Sequence, residues 1–151
     1  MKVAAAFDHR GVKLRAAVLE AISAAEGTVV DLGTDTDAVR IDYPDKALEL
    51  GMAIRRGEVD RGVLVCGSGV GASIAASKIP GIRAAICHDA YSAHQGVEHD
   101  DMNVLCLGSE IVGGELTREL VRAFLGARLN TAEERYARRL RMVAEIERER
   151  R

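Results

Sequence analysis

The sequence runs to 151 residues, about one domain's worth, with 48% hydrophobic residues, 29% charged residues and a formal net charge of −2. That balance excludes a disordered chain, a membrane span and a basic polyanion binder. A domain of this size buries roughly 68–70% of its unfolded surface without staples; the three cysteines, odd in number, and the short apolar start ended by Asp8 predict a cytoplasmic protein with reduced thiols.

Apolar β-rich runs are predicted at Val3 to Phe7, Thr28 to Leu32, Gly62 to Cys66, Arg83 to Cys87 and Val104 to Leu107. Their near-continuous apolar character is that of parallel strands covered on both faces. Helical spacing of three and four marks Val12 to Ala25, Asp45 to Arg56, Gly71 to Lys78, Ser92 to Glu98 and Gly114 to Leu125. The alternation predicts one α/β domain over residues 1–151. Its architecture is three-layered, doubly wound and Rossmann-like, with a five-stranded parallel sheet and helices on both faces. A further terminal helix, from about Ala132 to Arg151, carries a narrow apolar stripe (Leu140, Val143, Ala144, Ile146) among Arg and Glu residues and is expected to lie across a neighbouring surface.

Ligands of such sheets bind beyond the carboxyl ends of the strands. After the first strand stand Asp8-His9-Arg10-Gly11, readable as a site or as a turn in which Asp8 caps the next helix. The Asp-rich stretch from Gly33 to Pro44 is long enough to suggest a functional loop. After the third strand runs Cys66-Gly67-Ser68-Gly69-Val70-Gly71-Ala72-Ser73. It is neither a dinucleotide fingerprint nor a phosphate loop with its lysine. What remains is a glycine nest for an oxyanion with a thiol on its rim, where a helix start favours thiolate; alternatively Cys66 is a small buried hydrophobe, as Cys87 and Cys106 are expected to be.

The polar run from His88 to Asn103 includes His94 and His99, five apart and so diverging around a helix, which argues against a metal. On the terminal helix Arg135 and Arg139, four apart, could grip a phosphate or simply belong to a solvated Arg/Glu face.

Together, Asp8-His9, Asp42-Tyr43-Pro44, the Cys66 to Gly71 run with Ser73-Ile74-Ala75-Ala76, and His99-Asp100-Asp101-Met102-Asn103-Val104-Leu105 resemble the B-type ribose-5-phosphate isomerases. That family includes allose-6-phosphate and galactose-6-phosphate isomerases. The resemblance implies an aldose-ketose isomerase acting through an enediolate without metal or organic cofactor. Cys66 would be the base, since Ala72 stands where other members carry a glutamate. Gly67, Gly69 and Gly71, with Ser68 and Ser73, would hold the oxyanion; Asp8 would contact sugar hydroxyls, Tyr43 line the sugar site and His99 assist ring opening. His9, Arg135 and Arg139 would hold the phosphate. It further implies a homodimer, or a pair of such dimers, in which His99 and its neighbours serve the other subunit's site. Three positions depart from the pattern: Asp100 stands for a common Asn beside the sugar, Glu110 for an arginine that often assists the phosphate, and Tyr136 for a histidine.

Two other classes compete. A sensor of phosphorylated metabolites would share the fold, but binding alone needs no thiol beside an oxyanion nest. Nucleic-acid binding through the terminal arginines is disfavoured by the balancing glutamates and by having only five aromatics, Phe7, Tyr43, Tyr91, Phe124 and Tyr136.

Overall fold

The computed structural model describes residues 1–149; Arg150 and Arg151, included above in the terminal helix, lie outside them. In chain order the elements are β1 (Lys2–Phe7), a 3-10 turn (Gly11–Leu14), α1 (Arg15–Ala24), β2 (Thr28–Asp31), α2 (Tyr43–Arg55) and β3 (Arg61–Cys66). They continue with α3 (Val70–Ala76), β4 (Ala84–Ile86), α4 (Ala90–Asp100), β5 (Val104–Gly108), α5 (Gly114–Gly126) and α6 (Glu134–Glu149). The five strands form one wholly parallel sheet in the order β2-β1-β3-β5-β4. Connections leave in opposite directions from the neighbouring pair β1 and β3, so a crevice opens at their carboxyl ends.

Alternation along the central strands sorts side chains into two cores. Val3, Ala5 and Phe7 of β1, with Val63, Val65, Leu105 and Leu107, pack under α1, α4 and α5 through residues such as Ile22, Val97 and Phe124. Ala4, Ala6, Leu64 and Cys66 face α2 and α3 through Leu50, Ala53, Ala72 and Ala76. The second layer lies close because its contacts are small: a Cβ on Gly62 would come within 2.5 Å of Leu50 Cδ2.

Several boundaries differ from expectation for local reasons. Arg83 and Cys87 fall outside β4, and β2 and β4 are only half-buried because they are the sheet's edges. The first helical stretch is split into a 3-10 turn and α1. Helix α2 begins at Tyr43, two residues early, because Pro44 suits a first helical turn. The α4 start is fixed by Asp89, whose Oδ1 accepts the Ser92 N–H at 2.7 Å.

Helix α6 leaves the body and packs against α4, where Tyr136 is its one buried residue among those described. Leu140, Val143, Ala144 and Ile146 line an open groove of about 800 Å3 facing Ile82 and Met102. Val143 and Ile146 remain more than half exposed. Among the described residues no helix is long and apolar enough to cross a membrane.

Candidate active site

The crevice at the ends of β1 and β3 gathers most of the expected residues. Asp8 is buried, and its Oδ1 accepts the N–H groups of Arg10 (2.9 Å) and Gly11 (2.7 Å), so it does close the turn into the next helix. His9 Nδ1 lies 3.1 Å from the carbonyl oxygen of Ile41, which ties it to the Asp-rich loop. Across the crevice, the Gly69 N–H donates to Cys66 Sγ at 3.2 Å and the Val70 N–H to Ser68 Oγ at 3.3 Å. Gly69 has φ +81°, a left-handed conformation that ordinary side chains disfavour, and this turns the chain from β3 into α3. Tyr43, at the start of α2, lies over Gly71 so closely that a Cβ there would meet its ring at 2.6 Å.

The end of β5 closes the nest from behind. The N–H groups of Ser109 and Glu110 donate to the carbonyls of Cys66 and Gly67, each at 2.9 Å, and a Cβ on Gly108 would meet the Ser68 backbone at 2.6 Å. The Gly108 N–H donates to His88 Nε2 at 3.0 Å, so that nitrogen must be unprotonated, and burial lowers the His88 pKa in the same sense. The three thiols differ in setting. Burial pushes Cys87 up to about 11 and raises Cys106 further, so both remain neutral core thiols. Cys66 is also buried, but its sulfur takes the nest hydrogen bond.

His99, Asp100, Arg135 and Arg139 are elsewhere. The α4 C-terminus lies beside the start of β5, at the opposite end of the strands from Cys66. Gly62 pairs with Val104 there, whereas Cys66 pairs with Gly108 at the crevice; four strand residues separate these ends by about 13 Å. His99 stacks on Tyr136 (centroids 4.0 Å apart, 18° between planes), and its Nδ1 lies 2.7 Å from Gln95 Nε2. Arg135 sits over the same Tyr136 ring, hydrogen-bonds its hydroxyl at 3.1 Å and pairs with Glu133 at 3.4 Å. Arg139 and Asp100 line the groove under α6.

The remaining polar residues around α4 do not form one site. His94 pairs with Glu98, Asp101 with Arg83, and the Asn103 side chain ties Arg83 N to Gly81 O. The first is a pair within α4, and the others hold the turns on either side of β4 and α4. Among the described residues no three His, Cys, Asp or Glu side chains converge as metal ligands. Sequence reasoning did not single out Arg10 or His88, since their importance arises from loops that meet only in the fold. Glu110, noted as a departure, binds Lys13 at 2.5 Å and Arg10 at 3.5 Å.

Comparison with known proteins gives a consistent result. The family model described as Ribose/Galactose Isomerase matches residues 3–143. Ribose-5-phosphate isomerase B of Escherichia coli (strain K12) is 41% identical over 149 residues, covering 99% of this chain and 98% of that protein. D-erythrulose-4-phosphate isomerase of Pectobacterium atrosepticum is 36% identical over 127 residues, covering 84% of each chain. The solved structure of Clostridium thermocellum ribose-5-phosphate isomerase B superposes with a TM-score of 0.94 at 38% identity, over 100% of both chains.

Proposed function

Because the chain belongs to the ribose/galactose isomerase family, we propose that it interconverts ribose 5-phosphate and ribulose 5-phosphate through an enediolate, with Cys66 as the base. The Cys66 thiolate takes the C2 proton of the open-chain aldose. The C–H electron pair forms the C1–C2 double bond while the C1 carbonyl becomes an oxyanion. Return of that proton to C1, with the O2 proton passing to O1 as the C2 carbonyl forms, yields the ketose; no oxidant or cofactor is consumed. The Gly67, Gly69 and Gly71 loop, with Ser68 and Ser73, faces the developing charge. Fixed donors of this kind are worth about 3 kcal/mol apiece. Asp8, with Oδ1 taken by the turn, offers Oδ2 to sugar hydroxyls, and Tyr43 walls the sugar. His9, Arg135 and Arg139 hold the phosphate, while His99 assists ring opening and Asp100 faces the sugar.

The observation that carries the reading is the Gly69 N–H bond to Cys66 Sγ at the crevice of the sheet. The positions of Cys66 and His99 at opposite strand ends favour a homodimer, since a single copy cannot bring them together around one sugar. The unpaired cysteines suit the cytoplasm.

Cys66→Ala should keep its melting temperature and lose exchange of the C2 proton of ribose 5-phosphate with solvent; undiminished exchange would remove Cys66 as the base. A tetrose phosphate or a six-carbon phosphate is the second substrate reading, supported by Asp100 and by the likeness to the erythrulose-4-phosphate enzyme. Ranking kcat/KM over erythrose 4-phosphate, ribose 5-phosphate and allose 6-phosphate decides it.

A further inference from the structure

Arg10 stands at the mouth of the cysteine nest and has no part in the roles above. A Cβ on Gly67 would meet its Cζ and Nη1 at 2.7 Å and its Nε at 2.8 Å, so the guanidinium covers the residue joining Cys66 to Ser68. Its backbone is held in place by the 2.9 Å bond from its N–H to Asp8 Oδ1. The side chain remains 55% exposed, and its ion-pair distance to Glu110 Oε1 is a long 3.5 Å. That same oxygen is held by Lys13 at 2.5 Å. Glu110 is fixed in turn through its own N–H on the Gly67 carbonyl, at 2.9 Å. The result is a guanidinium fork lying over the nest, whose nearest carboxylate is shared with Lys13. Such a fork matches the paired oxygens of a phosphate.

We propose that Arg10 binds the phosphate of the sugar phosphate and that Glu110, kept in reach by Lys13, competes with that phosphate for the guanidinium and so sets substrate affinity. This rests on the isomerase reading above and adds a cation from the same subunit as Cys66. The glycine at 67 is then needed for a second reason, because any side chain there would push the guanidinium off the nest.

The test pairs steady-state kinetics on ribose 5-phosphate with calorimetric binding of inorganic phosphate, which needs no turnover. Arg10→Ala should raise KM and weaken phosphate binding by roughly tenfold or more, as expected for a charged hydrogen bond, with kcat and melting temperature little changed. Arg10→Lys should fall between. Glu110→Gln should move both quantities the other way, lowering KM and tightening phosphate. The proposal is overturned if Arg10→Ala binds phosphate like the wild type, or if its loss appears only in melting temperature. It is also overturned if Glu110→Gln weakens phosphate binding. A wild-type protein that binds phosphate through Arg10 yet never exchanges the C2 proton would instead sink the isomerase reading.

Discussion

Neighbouring residues of one type take different chemistry from their surroundings. Cys66 and Cys106 both pack in the layer under α2 and α3, but only Cys66 ends its strand where a turning backbone presents an N–H to sulfur. Cys87→Ala and Cys106→Val should therefore alter stability alone, with C2-proton exchange intact in both. Gly69→Ala should cost about 1–2 kcal/mol in unfolding free energy from its left-handed backbone and should also slow turnover, because the loop it turns is the nest. His88 gives a pH signature. Its folded pKa lies below the ordinary 6.5, so the unfolded chain binds the extra proton first and stability falls as pH drops below 6.5 toward the folded value. His88→Gln, whose amide oxygen can still accept the Gly108 N–H, should flatten that slope in denaturant titrations from pH 7.5 to 5; an unchanged slope would remove His88 as its source. The glycine run after Cys66 was legible as a nest from residue type and position, while the choice of Cys66 as base over a buried hydrophobe came from the family resemblance. Arg10 and His88 were not legible, since no local pattern shows that their side chains will reach Gly67 and Gly108.

Among the elements, strand and helix order followed from hydrophobic periodicity, and what periodicity missed was edge position. β2 and β4 read as apolar as the central strands, yet each has one neighbour and lies half-exposed. Helix α6 posed the reverse problem: its Arg/Glu pattern suited a solvated helix, and its anchoring depends on Tyr136, an aromatic whose stacking partner His99 belongs to another helix. Short polar helices are marginal by themselves. Tyr136→Ala should therefore speed amide hydrogen exchange throughout α6 while β1, β3 and β5 stay protected. Equal protection of α6 in the variant would show that its apolar stripe, rather than the aromatic stack, holds it.

At the scale of the molecule, the two groups of candidate residues lie at opposite strand ends of one sheet, a separation that fits the family resemblance, which assigns His99 to the other subunit's site. Topology dictates it: α4 returns antiparallel to the strands, so the residues after it must begin where β3 begins. In the proposed homodimer, mixing Cys66→Ala with His99→Ala subunits should restore activity, because one site of each mixed pair receives both intact residues. With equal amounts and free exchange, about a quarter of wild-type activity is expected from random pairing of subunits. No recovery after verified subunit exchange would mean that each chain works alone.

The same separation ties rate to protein concentration. If catalysis requires residues from two strand ends that one copy cannot bring together, a solitary folded chain is idle, and turnover per chain must collapse once dilution passes the point at which copies part. In the proposed homodimer the sheet would serve as a fixed spacer that makes activity report the enzyme's own abundance, and an assay extended to low protein concentration would read the strength of the pairing without any label.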